Sequence, residues 1–284
     1  MKKRTFLTIL CLLAGICMAQ AQQRNKYLQF GLTADYTLIN DKAIGNPPIE
    51  ALDGGLYIGF NNRGEKSLWG VSLWGTFGFA NTARSSNLGG GSDIIVPLGV
   101  SSPQGHQFSE AYRFPNYNTR IADRYTARLE GEYLHRVNRL ENRWKVFVGG
   151  QMNLHVYYNR ILIFTNSESN YFFHLGLAPK GHLEYPFSML KKEYRLIGSA
   201  SYDVLALVAR PSYSLPFPDD RMDNVRLTSL GGYGMAQTRI GLLHPMRNGN
   251  AWEAAYRWQY DFDSHMNNVR QGMHSLSFIL YINL

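Results

Sequence analysis

Residues 251–262 read AWEAAYRWQYDF, and their alternation decides the fold. Trp252, Ala254, Tyr256, Trp258, Tyr260 and Phe262 occupy one parity. Glu253, Arg257, Gln259 and Asp261 occupy the other, with Ala251 and Ala255. Successive side chains of a strand point to opposite faces, so the segment is a strand with one apolar and one charged face. The pattern recurs on both sides of it. Trp144, Val146, Val148, Met152, Leu154 and Val156 oppose Lys145, Gln151, Asn153 and His155, with Phe147 as an exception on the polar face. Tyr194, Leu196, Ala200, Tyr202, Val204 and Val208 oppose Arg195, Ser199, Ser201 and Asp203, with Leu205 and Leu207 breaking the polar face. Ile121, Tyr125, Ala127, Leu129 and Tyr133 oppose Arg124, Thr126, Arg128, Glu130 and Glu132.

Ten such segments are expected, at 27–36, 54–61, 68–79, 121–135, 143–157, 171–185, 193–208, 229–243, 250–262 and 272–284. Most exceed the ~5–6 residues of an ordinary globular strand and approach the ~9–11 of a tilted membrane-crossing one. Their connections alternate in length. The segments 62–67, 136–142, 186–192 and 244–249 are short, whereas 37–53, 80–120, 158–170, 209–228 and 263–271 are long. Short turns on one side and long loops on the other are the layout of an outer-membrane barrel, and an even strand number puts both chain ends on the short-turn side. A secreted β-sandwich would alternate too. Against it stand the aromatic residues near strand ends, among them Trp144, Tyr158, Tyr171, Tyr185, Tyr194, Trp252 and Phe262, which fit interfacial girdles.

The N-terminus supplies the address. Lys2, Lys3 and Arg4 precede an apolar stretch from Phe6 to Met18, and Ala19-Gln20-Ala21 fits small-x-small cleavage. Residues 1–21 therefore read as a signal peptide, and 22–284 as the barrel with a long extracellular loop at 80–120. Both cysteines, Cys11 and Cys17, fall in the signal, so no disulfide is expected in the mature chain. The 29 Lys and Arg, less Lys2, Lys3 and Arg4, against 21 Asp and Glu leave a net charge of +5. That is too mild and scattered to argue for nucleic acid. The chain is 284 residues long with a mean hydropathy of −0.26, which excludes a bundle of membrane helices.

Signal peptide, ten amphipathic strands and a strand-final C-terminus together resemble small bacterial outer-membrane β-barrels. With 18 tyrosines and 27 glycines the style is similar to uncharacterised barrels of Bacteroidetes. The likeness is architectural and spans residues 22–284; the chain ends on Leu284, where such barrels often carry an aromatic residue. It implies an all-β, antiparallel transmembrane barrel of ten strands, with eight or twelve as alternatives, in the outer membrane and in contact with its lipid.

A barrel of ten strands is narrow, and side chains must fill much of it. Arg124, Arg128, Glu130, Glu132, Arg195, Asp203, Arg239, Glu253 and Arg257 are the candidate lumen-lining residues, in near balance of sign. They read either as a salt-bridged polar core or as the wall of a selective pore. No catalytic residues, metal ligands or cofactor are assigned. His174 and His182 share a parity, but eight residues of strand separate them by ~26 Å, too far for one ion; His182 with Glu184 reads as a wall contact. Asp261, Asp263 and His265 suggest a protease only by position, and outward His274 lacks the serine a phospholipase needs. Asp219, Asp220 and Asp223 read as a solvated acidic loop, and Gly89–Gly91 as a loop tip without phosphate-loop context. The 80–120 loop, without regular patterning, carries the apolar run Ile94–Val100 and the aromatic Phe108, Tyr112, Phe114 and Tyr117. Loops of this length tend to be functional. The leading expectation is a non-enzymatic surface or assembly component binding a protein or glycan through its loops. A narrow, porin-like solute channel is the alternative, and an outer-membrane hydrolase the third.

Overall fold

A computed structural model describes residues 26–40, 49–82, 94–96, 112–114, 122–139, 141, 143–161, 169–210, 225–264 and 269–284. The fourteen strands are β1 (Lys26–Asn40), β2 (Ile49–Arg63), β3 (Ser67–Thr82), β4 (Ile94–Val96), β5 (Tyr112–Phe114), β6 (Ala122–Arg136), β7 (Lys145–Ile161), β8 (Ser169–Met189), β9 (Lys192–Tyr202), β10 (Leu205–Ala209), β11 (Arg226–Ser229), β12 (Tyr233–Pro245), β13 (Ala251–Asp263) and β14 (Val269–Asn283). The order β8-β7-β6-β3-β2-β1-β14-β13-β12-β9 closes on itself through β9 and β8, antiparallel throughout. The chain ends form one seam, with Tyr27 opposite Asn283 and Asn40 opposite Arg270. This is a closed ten-stranded antiparallel barrel.

Two of the ten staves are interrupted, so the barrel sheet counts twelve strands, and β4 with β5 forms a separate pair. Lys180 faces Ser201, yet Leu177 faces Leu205, so one extra residue sits on the β9–β10 side. That is a β-bulge at Asp203–Val204, held by Asp203 N to Met235 O and Val204 N to Leu177 O, both 2.9 Å. The bulge reverses the parity. Leu205 and Leu207 turn outward, and Ala206 and Val208 turn inward and are buried. The expected outward placement of Val208 is thereby corrected, and Leu205 and Leu207, out of phase with the polar face in the sequence, keep to the apolar one. On the next stave, β11 and β12 are joined by the Leu230–Gly232 turn, where Gly231 adopts φ 104°.

Short connections and both described chain ends lie at one end of the barrel; long connections lie at the other. The β8–β9 hairpin turns on Leu190 and Lys191, both in the left-handed region at φ 53° and 61°, as a two-residue turn matched to strand twist requires. The 80–120 loop departs from expectation: it holds a small antiparallel pair, Ile94–Val96 with Tyr112–Phe114. Residues 80–82 belong to β3; the rest of that loop with Gly89–Gly91, the expected signal segment 1–21, Asp219, Asp220, Asp223 and His265 lie outside the described residues.

The outer face is apolar along every long stave. Leu32, Leu52, Leu56, Ile240 and Leu276 are all more than 60% exposed, with Val71, Leu73, Phe77, Val148 and Phe278 around them. A soluble protein rarely exposes a contiguous apolar patch beyond a few hundred Å². A belt encircling a closed sheet is the solution a bilayer demands, because every backbone group is paired within the barrel. At the short-turn end the belt becomes aromatic, as in Trp144 on Tyr185 at 4.4 Å and Trp252 on Phe278 at 5.8 Å between ring centroids.

Candidate functional site

The inner face holds the chemistry. Side chains from strands that are not neighbours meet there, and only an inward orientation allows that. Arg257 of β13 pairs both guanidinium nitrogens with Glu130 of β6, and Arg128 of β6 pairs with Asp35 of β1. Between these two pairs stands Trp74 of β3, 2% exposed. The Arg257 guanidinium lies 4.6 Å from its ring centroid and that of Arg128 lies 5.7 Å away. Tyr57 flanks it at 4.2 Å and donates its hydroxyl to Gln29 Oε1 at 2.6 Å. Cations over the face of a buried indole are favourably placed, since the ring quadrupole attracts them where water screens little. The middle of the lumen is thus bolted across by an aromatic ring and two ion pairs.

Toward the short-turn end the filling continues. Glu184 accepts from Arg63 and from His182 at 3.2 Å, and forms an ion pair with Arg195 at 3.3 Å. Glu253, fully buried, takes Arg239 at 2.8 Å and the Tyr281 hydroxyl. Gly241 is the reason it fits: a Cβ there would lie 2.2 Å from Glu253 Oε1. Lys180 pairs with Glu132 at 2.6 Å. Leu68, Leu134 and Phe147 pack together below, so Phe147, an exception to the alternation, is part of an apolar floor.

Toward the long-loop end, Asp203 continues the inward parity of Ser199 and Ser201 up to the bulge. His174 Nε2 lies 2.8 Å from Asp203 Oδ2, and Asn153 Nδ2 donates to Asp203 Oδ1 at 2.8 Å. Gly176 makes the space, since a Cβ there would lie 2.1 Å from that Oδ2 and 2.6 Å from His174 Nε2. Arg124 pairs with Asp53 at 3.2 Å and sits over the Tyr157 ring. Tyr157 stacks on Phe172 at 4.8 Å, and Tyr233 packs on His174 at 4.6 Å. Val208, brought in by the bulge, joins this cluster with Ala206 and Met235.

All nine lumen-lining candidates face inward, and each is paired: Arg124 with Asp53, Arg128 with Asp35, Glu130 with Arg257, Glu132 with Lys180, Arg195 with Glu184, Asp203 with His174, and Arg239 with Glu253. What sequence reasoning missed is the aromatic filling, Tyr57, Trp74 and Tyr281. The signal was present for Trp74, which shares the inward parity of β3 with Gly70 and Gly78. The cavity left beside Trp74, lined by Tyr57, Lys180, His182, Arg239 and Arg257, measures about 60 Å³. At ~10–15 Å³ per water this holds a few waters and no solute.

The other constellations stay apart. His174 and His182 serve different carboxylates, and no group of three or more His, Cys, Asp or Glu among the described residues is placed to share a metal. Asp261 accepts from Gln259 at 3.0 Å, and Asp263 pairs with Arg226. His274, on the outer face, meets the Tyr256 hydroxyl at 2.6 Å rather than a serine.

No family model matches the sequence, and no curated protein matches it. Among solved structures the chain is similar to the translocator domain of autotransporter NalP from Neisseria meningitidis, at 10% identity over 99% of this chain and 96% of that one, TM-score 0.40. It is also similar to the beta domain of the Bordetella autotransporter Brka, at 9% identity over 92% and 100%, TM-score 0.42. Ail, the attachment invasion locus protein of Yersinia pestis, matches at 8% identity over 92% and 100%, TM-score 0.30.

Proposed function

We propose that the chain is an outer-membrane barrel with a closed lumen, a scaffold that presents its long connections outside the cell to bind a protein or a glycan. One observation carries the closed lumen: ion pairs and packed rings join non-neighbouring strands at the short-turn end (Arg63 with Glu184), the middle (Arg257 with Glu130) and the long-loop end (Arg124 with Asp53, and the rings of His174 and Tyr233). A pore would leave those charges lining water rather than bolting one wall to another. The signal segment, the apolar belt and the alternation of connection lengths support the outer membrane and the outward orientation of the long loops, including 80–120. The Tyr- and Gly-rich composition supports a place among Bacteroidetes-type barrels. With the lumen filled, the loops are the surface left for function, and outer-membrane lipid is the barrel's own contact. Planar-bilayer recording of the refolded protein tests the reading. Silence at moderate voltage is expected; steady openings permeable to small solutes would replace the scaffold with a narrow channel.

A further inference from the structure

The short-turn end differs from the rest of the surface in charge. Each of its four turns carries at least one exposed basic residue: Lys66 after β2, Arg139 and Arg143 after β6, Lys191 and the adjoining Lys192 after β8, and Arg247 after β12. Against them stand the exposed Glu65, Glu141 and Glu193. The turns are spaced around the whole circumference, because the four hairpins that bear them follow one another around the sheet. A basic ring of this kind does not fit one compact protein epitope; it fits a surface that surrounds the barrel.

A second observation sets its level. Arg143 donates from Nε to Pro186 O at 3.1 Å and lays its guanidinium 4.8 Å from the Tyr185 ring centroid. Tyr185 packs at a tilt against outward-facing Trp144, the start of the aromatic belt. Farther around, Phe187, Tyr194, His244 and Trp252 continue that belt ring to ring. Aromatic belts mark the headgroup level of a bilayer, and long basic side chains beside them extend into it. Basic groups at that level attract acidic lipid. The long connections offer no such bias: Asp219, Asp220 and Asp223 accompany Arg210, Arg221 and Arg226 in one of them.

We infer that the short-turn rim is a binding collar for anionic phospholipid headgroups. It holds that leaflet's acidic lipids against the barrel and fixes its depth and tilt. The inference rests on the bilayer-spanning reading, and its test separates the two. Trp144 is the reporter, with Trp69, Trp252 and Trp258 replaced by Phe and Trp74 left in the lumen as unquenched background. The protein is refolded into vesicles of phosphatidylcholine with phosphatidylglycerol, one or the other brominated. Brominated phosphatidylglycerol is expected to be enriched around Trp144 roughly twofold to fivefold. The enrichment should shrink in high salt, and fall by half or more in the K66Q/R139Q/K191Q/K192Q/R247Q variant, which keeps Arg143 beside the reporter and whose heat-modifiability reports that it folds. Equal quenching by both lipids, or a preference that survives salt and the variant, overturns the collar while leaving the barrel in the membrane. No quenching by either lipid overturns both.

Discussion

Removing the carboxylate of Glu130 should loosen the barrel from inside. Glu130 and Arg257 are 11% and 10% exposed, bonded through both guanidinium nitrogens, and their residues lie 127 positions apart in sequence. Glu130→Gln leaves the Arg257 cation in the lumen without its counter-charge. Breaking a buried pair costs about 3–5 kcal/mol, and the adjoining cavity, with room for a few waters, takes this one to the low end, about 3 kcal/mol. Arg257→Met removes the charge and also the stacking on Trp74, worth up to about 2 kcal/mol when desolvated, so about 4 kcal/mol is expected. The double variant holds neither stranded charge. Its cost should fall short of the summed singles by about 2–3 kcal/mol. The assay is urea unfolding in lipid vesicles, followed by tryptophan fluorescence and by the heat-modifiable band. Single losses under about 1 kcal/mol, or additivity within about 0.5 kcal/mol, would refute a bolted lumen.

Three further outcomes follow from particular contacts. Leu154→Arg on the outer face should cost ~2–4 kcal/mol in the same titration if it lies near the midplane, whereas lumen-side Ser201→Arg should cost less; equal costs would mean the faces are reversed. Gly176→Ala puts a methyl carbon against Asp203 and His174 and should destabilise by ~1–3 kcal/mol, while the outward Gly131, with nothing within 4 Å of its Cβ position, should tolerate Ala with a far smaller change. Replacing Leu190-Lys191 by Asn-Gly relieves two side chains held at positive φ and should stabilise by ~1–2 kcal/mol, read as a higher urea midpoint.

The barrel was legible because strand alternation is local. Residues 251–262 declare their two faces unaided, and the ten expected segments correspond to the ten staves. The ends were less legible: 171–185 is the middle of a strand running Ser169–Met189, since alternation fades where small and polar residues take over. The bulge at Asp203–Val204 was not legible, because it exists only in the register against β8. Its trace was there, in Leu205 and Leu207 out of phase with Asp203, but one chain cannot distinguish a phase slip from an apolar residue on a polar face. The inward charges could be named from parity. Their partners could not, because Arg257 meets Glu130 across a lumen whose closure depends on every intervening pairing. Trp74 was passed over for a related reason: tryptophan is expected outside on a membrane strand, and only the two arginines around it explain its place inside.

The central claim is a membrane-spanning barrel with its long connections outside, and accessibility in intact cells tests it most directly. A cysteine at Ser101, in the connection between β3 and β6, and another at Asn248, in the turn between β12 and β13, are placed in separate chains. With Cys11 and Cys17 expected to leave with the signal, each is the sole thiol. A membrane-impermeant maleimide should label the Ser101 position on intact cells and the Asn248 position only after lysis. Labelling at Asn248 with none at Ser101 would invert the barrel, and recovery of both proteins in the soluble periplasm would contradict the membrane reading altogether.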